Sequence, residues 1–288
     1  MNRLQTLVVA SVAVTTLASC GEDANDAGAG PTTNELGPIH VHALGVNPAD
    51  EALYIATHTG MFSLAEGESE ASRVGDSYQD TMGFTVVGPD RFLGSGHPDL
   101  REDLPPYLGL IESSDAGRAW DPVSLLGEAD FHVLEAAGER IYGFGSDFET
   151  RREQFLVSRD GGRRWQQLDP PESLLSLAIN PADPDELLMS GRRALYRSAD
   201  AGKSWEPVSG EPGLVAWPEG SGLYLATEEG TVAATVAPGG EWQQVGEIGG
   251  EPAAFEAVAG GVLYAALHDG AIEQSTDGGR TWVVRSDP

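Results

Sequence analysis

A single cysteine, Cys20, stands in 288 residues, so neither a disulfide framework nor a cysteine-based zinc knuckle is available. Lysine is as scarce: Lys203 is the one copy, and 17 Lys plus Arg face 45 Asp plus Glu. The formal charge of −28 leaves no clustered basic surface to neutralise phosphates, which excludes DNA or RNA as a partner and argues against anionic lipid. Aromatic residues make up only 7%, and the apolar run from Leu7 to Leu17 is too short to span a bilayer. Against these shortages stand 37 Gly and 18 Pro, a supply of tight turns that suits many short strands rather than long helices. At roughly 150 residues per domain, the length allows one large domain or two small ones. The acidity fits either adaptation to salt or the solubility of a secreted chain.

The N-terminus reads as an address. Arg3 precedes the apolar run, which ends in Leu17-Ala18-Ser19-Cys20. This is the pattern of a signal peptide over residues 1–20, and its ending resembles the lipobox of bacterial lipoproteins, in which cleavage leaves an N-terminal, lipid-modified cysteine. The resemblance implies lipidation at Cys20, a membrane partner reached through the lipid anchor, and a place in the cell envelope outside the cytoplasm. Residues 21–38 are small, polar and acidic, and read as a flexible tether. The folded domain is expected over 39–288.

An internal repeat sets the architecture. The pattern SxDxGxxW occurs at Ser113–Trp120, Ser158–Trp165, Ser198–Trp205 and Ser275–Trp282, with a worn copy at Thr235–Trp242 in which Ala237 replaces the Asp. The first positions, 113, 158, 198, 235 and 275, are separated by 45, 40, 37 and 40 residues, the length of one four-stranded propeller blade. As a hairpin turn the motif makes physical sense. The carboxylates of Asp115, Asp160, Asp200 and Asp277 can accept turn amides, the Gly can adopt positive φ, and the Trp can anchor the outer strand on its neighbour. Segments such as LYIATHTG, FLGSGHPD, IYGFGSDF, LLMSGRR, LYLATEEG and LYAALHDG read as second strands and count six blades. The expected fold is therefore an all-β, six-bladed propeller. No strand is evidently exchanged to close the ring, and a seventh blade stays open.

These eight-residue segments resemble the Asp-box, or bacterial neuraminidase repeat, of sialidases, sortilin-type receptors and photosystem assembly factors. That resemblance is specific for fold and says little about activity.

Propeller topology places the loops before strand one and after strand two around one mouth. His40 and His42 open blade one and His132 opens blade three, while His58, His97 and His268 end second strands. All six histidines are thus expected at that mouth, as is Asp80. They can bind a metal, position an anion or act as acid and base; alternatively, they satisfy one another and bound water. A divalent metal held by His42, His58, His97 and His132 is one outcome. Two loops, after His97 and after Ser146, look long and bring Tyr107 and Phe148 to the mouth. Arg101, Arg151, Arg152, Arg192 and Arg193 can grip an anion there or form exposed ion pairs. Asp80 and Asp147, on neighbouring blades, are the candidate carboxylates for hydrolysis of a glycoside.

The lipobox together with HVHALGVNP, THTGMF, MGF, SGHPD and EADFH is similar to a family of bacterial Asp-box lipoproteins commonly labelled glycosyl hydrolases. That similarity implies a glycan or another small ligand as partner, with hydrolysis or binding alone both open. The Phe/Tyr-Arg-Ile-Pro segment of true sialidases is absent and no Tyr matches their nucleophile, which argues against sialic-acid hydrolysis. The competing reading is a non-catalytic binding or assembly propeller. The oligomeric state is not readable.

Overall fold

The computed structural model describes residues 37–287; the expected signal peptide, Cys20 and nearly all of the tether lie outside these residues. The described chain holds no helix and forms six four-stranded antiparallel sheets in sequence order. The first strands, Val41–Val46, Asp80–Gly88, Ala129–Ala137, Leu174–Asn180, Leu214–Ala216 and Pro252–Val258, pack on one another around an axis, the sixth against the first. Each later strand lies farther out. The fold is a six-bladed β-propeller, with no seventh blade among the described residues.

Every blade is built from its own contiguous segment, so no strand is shared across the point of closure. Apolar packing closes the ring instead. Leu44, Ile55 and Phe62 of blade one meet Ala254, Tyr264 and Ile272 of blade six, and Arg285 donates to the Ala65 carbonyl across the same seam. Burial of this kind stabilises by about 25 cal/mol per Å² of apolar surface.

The SxDxGxxW segments sit between the third and fourth strands of blades two, three, four and six, with the worn copy in blade five. All four intact copies make the same bonds. The Ser hydroxyl donates to its Asp at 2.9–3.1 Å and accepts the Gly amide at 2.8–2.9 Å. The Asp accepts the amide four residues on at 2.9 Å each time. Hydrogen bonds from Arg164, Ser204 and Thr281 lead in holding Asp160, Asp200 and Asp277 down to about 2. In the worn copy, the backbone bond from the Gly240 amide to the Ala237 carbonyl keeps the turn. The glycine is required twice over. Gly162 has φ +82°, and a Cβ there would lie 2.1 Å from Leu110 of the preceding blade. The tryptophans bind blade to blade: Trp165 packs 5.2 Å from Phe131 and donates from its indole to Ser124 of blade two, and Trp205 reaches Phe155 of blade three.

Inside the ring the first strands line a channel of about 520 Å³. Glu135 of blade three and Glu256 of blade six, opposite in a ring of six, face both this channel and a smaller chamber of 140 Å³ beyond it. They touch some solvent but lie deep in protein. Burial pushes the Glu135 carboxyl up to about 8; burial, then the charge of Glu135, pushes Glu256 well above the carboxylate range.

Two predictions follow from the ring. Trp165→Ala, which removes a half-buried indole and its inter-blade bond, should cost about 2–3 kcal/mol and lower Tm by roughly 4–12 °C; an unchanged Tm contradicts the anchoring role. The second concerns pH. The folded carboxyl of Glu135 keeps its proton to about pH 8 whereas the unfolded one loses it near 4.5, so stability falls as pH rises through that window. Glu135→Gln should flatten the fall seen in denaturant titrations, a difference on the order of a few kcal/mol at pH 8. A slope identical to that of the parent protein would remove the buried carboxyl from the account.

Candidate functional site

Strand register builds the mouth. On four blades one residue at the start of the first strand or just before it meets the end of the second: His40 with His58, Asp80 with His97, Asp130 with Ser146 and Glu251 with His268. Two residues further along, the pairing slips. The unpaired residues are His42, Met82, His132, Leu175 and Ala253, so five of the six blades carry a β-bulge at one level. A bulge re-aims the extra side chain out of the ladder. His42, His132, Leu175 and Ala253 accordingly line the axial channel.

Five of the six histidines gather into two groups, each around one aspartate. In the first, His42 Nε2 lies 3.2 Å from Asp80 Oδ1 and His58 Nδ1 lies 2.8 Å from Asp80 Oδ2. His40 stands beside them, its ring 6.2 Å from that of His58 and its backbone at φ +53°. In the second group, His132 Nε2 is 2.9 Å and His97 Nε2 is 3.4 Å from the same oxygen, Asp130 Oδ2. The Phe131 amide donates to buried Ser95 of blade two at 2.9 Å, which holds Asp130 against its neighbour. His268 stands apart, its Nε2 3.5 Å from exposed Glu251.

The electrostatics join the groups. Burial works to raise the Asp80 carboxyl, but the close approach of His42 and the charges of His58 and His97 outweigh it and hold the group below its ordinary value. His132 is raised, first by its hydrogen bond to Asp130 and further by the charges of Asp130, Asp80 and Glu153. Asp130, 4% exposed at its side chain, keeps Oδ1 without a hydrogen-bond partner among the described residues.

An aromatic wall stands beside the second group. The Tyr107 ring lies 5.5 Å from that of His97 and 5.2 Å from that of Phe148, with the Arg151 guanidinium 4.4 Å over Phe148 and bonded to the Tyr107 hydroxyl. The 98–109 loop that carries Tyr107 is tied down by the Gly127 amide on the Tyr107 carbonyl, and His97 Nδ1 meets the Pro106 carbonyl at 2.7 Å. The loop after Ser146 is shorter than the sequence suggests, because the flanking strands extend to Asp147 and from Glu153.

Several residues stand differently from the sequence reading. Asp147 accepts the amide and hydroxyl of Thr150, both at 2.6 Å, which hold its carboxyl low, so it caps a turn. Arg101 is bound to buried Asp99 and stacks on Tyr78, and Arg193 pairs with Glu172, so neither is a free anion grip. Arg192 makes no ion pair among the described residues and occupies the ring position that His58 and His97 hold in their blades. The four histidines expected to share one metal divide two and two between the aspartates. Asp130 escaped the sequence reading. Its signal was the shared spacing of His40-x-His42, Asp80-x-Met82 and Asp130-x-His132.

The chain matches no protein-family model and none of the curated proteins compared with it. Among solved structures it is similar to a gluconolactonase from Xanthomonas campestris, with TM-score 0.62 and 14% identity over 80% of this chain and 83% of that one. It is also similar to YCF48 from Cyanidioschyzon merolae, with TM-score 0.52 and 13% identity over 88% and 86% of the two chains. An ancestral GH74 enzyme aligns with TM-score 0.54 and 16% identity over 83% of this chain, which spans 36% of that enzyme's length. At such identities the likeness establishes the propeller fold and leaves the chemistry to the mouth itself.

Proposed function

We propose that this chain is a lipid-anchored propeller of the cell envelope that binds a glycan or a related polyhydroxylated ligand at its histidine-lined mouth. The observation that carries the reading is the wall of Tyr107, Phe148 and Arg151 standing beside the exposed imidazoles of His97 and His132. A sugar presents hydroxyls to imidazoles and an apolar ring face to an aromatic side chain. The four SxDxGxxW turns with one hydrogen-bond pattern support kinship with Asp-box propellers. The Leu17–Cys20 ending supports lipid attachment.

Hydrolysis is a second reading of the same mouth. Asp80 and Asp130 occupy equivalent positions on adjacent blades, so two carboxylates flank it where Asp147 was expected to contribute. The sharing of the fold by a gluconolactonase and by YCF48, one structure of which holds a D1 peptide, is compatible with enzyme and with binding module alike.

The test is a saccharide panel on the full chain in detergent, read by calorimetry, with chromogenic glycosides assayed in parallel. Tyr107→Ala and His132→Ala should each weaken saccharide binding about 10-fold or more while leaving Tm within a few degrees. Binding that ignores both substitutions, or no binding to any saccharide, contradicts the proposal. Turnover abolished by Asp130→Asn would favour hydrolysis. For the anchor, Cys20→Ser should move the protein from the membrane to the soluble fraction; retention on the membrane would refute lipid attachment at that residue.

A further inference from the structure

The two histidine groups look alike in composition but differ in how their atoms meet. Around Asp130 both imidazoles approach one oxygen, and His132 makes a hydrogen bond to it at 2.9 Å. That arrangement converges both rings on Oδ2. Around Asp80 the imidazoles approach different oxygens, Oδ1 from His42 and Oδ2 from His58. His42 Nε2 and Asp80 Oδ1 face each other at 3.2 Å without hydrogen-bond geometry, and each is buried with no hydrogen-bond partner among the described residues. A cation shared by these two buried atoms would satisfy both.

We propose that His42, His58 and Asp80 form a binding site for one divalent transition-metal ion of the zinc type. This rests on the reading of the mouth as the ligand site and supplies its most specific contact. One nitrogen from each imidazole and one carboxylate oxygen lie within 4.8 Å of one another. Ligands held about 2.0–2.2 Å from a common ion stand roughly 3.0–3.5 Å apart; His42 Nε2 is 3.2 Å from Asp80 Oδ1, within that separation, and His58 Nδ1 is 2.8 Å from the other oxygen, Oδ2. Two imidazoles with one carboxylate select zinc, cobalt or nickel over magnesium or calcium, which prefer all-oxygen shells.

The scaffold suits such a site. His42 is set by its bulge and Asp80 opens the next blade, so both stand on paired strands. Their side chains are 23% and 13% exposed, whereas that of His58 is 62% exposed. The site is therefore closed from within and open at the mouth, giving the ion an entry path and a free position for a ligand hydroxyl or carboxylate.

The experiment is titration of chelator-treated full-length protein in detergent with Zn²⁺ by calorimetry, and with Co²⁺ by visible absorption. One equivalent should bind, with cobalt bands of a nitrogen- and oxygen-ligated ion. His42→Ala and Asp80→Asn should each weaken Zn²⁺ binding about 100-fold or more, while His97→Ala and His132→Ala keep it within a few-fold. Circular dichroism and Tm of each variant separate ligand loss from misfolding, and His58→Ala, whose ring is mostly exposed, provides a third ligand deletion with little risk to the fold. No saturable binding by the folded parent overturns the proposal. So does binding that survives all three ligand substitutions, or that is lost in His132→Ala. Zinc bound without any saccharide affinity would leave the metal site standing and remove the glycan reading, whereas saccharide bound by zinc-free protein, with no zinc uptake, would do the reverse.

Discussion

A small twisted sheet with apolar residues on both faces can be buried only by another sheet on each side, and a ring is the arrangement in which six of them have no uncovered member. Everything else in this chain depends on that mutual covering. Because no strand is exchanged at the join, closure rests on apolar contact between blades six and one, with Ile55, Phe62, Tyr264 and Ile272 at its centre. The outer turns serve the same end: a serine, an aspartate and a glycine shape each turn so that an indole can lie against the blade before it.

Ring closure has a consequence at the axis. The first strands converge there, and each can spare one residue from its ladder through a bulge, so a single level of the ring collects side chains from five blades. On blades one and three that residue is histidine; on blades four and six it is Leu175 and Ala253. At this level the channel lining is thus polar at blades one and three and apolar at blades four and six. Asp80 and Asp130 each bring a carboxylate within reach of two imidazoles at the mouth. Deeper in, burial raises the carboxyls of Glu135 and Glu256, which favours their protonated form beneath the mouth.

Blade number, strand order and the role of five tryptophans were legible because they repeat: a hairpin turn with a fixed spacing leaves the same mark each time it is used. The mouth was legible by residue type and approximate location, since topology sends the ends of first and second strands to one place. Pairing within the mouth was not, because it depends on which oxygen of Asp80 or Asp130 each ring meets, and sequence carries no angles. Asp147 and Asp130 show the difference. Both lie near strand ends on blade three, yet a local threonine captures the first while a bulge two residues on directs a histidine to the second. Glu135 and Glu256 were invisible for a related reason: within first strands, alternation alone does not tell which carboxyl faces the channel and which faces a neighbouring blade.

The central claim is that two aspartates on adjacent blades divide the histidines between them at a common mouth. Nitrogen-15 spectra of the imidazole rings in histidine-labelled protein test it most directly. Asp80→Asn should shift the ring resonances of His42 and His58 most, Asp130→Asn those of His97 and His132, and His268 should move in neither. Shifts that fail to segregate in this way, or that appear equally in His268, would contradict the arrangement on which the functional reading stands.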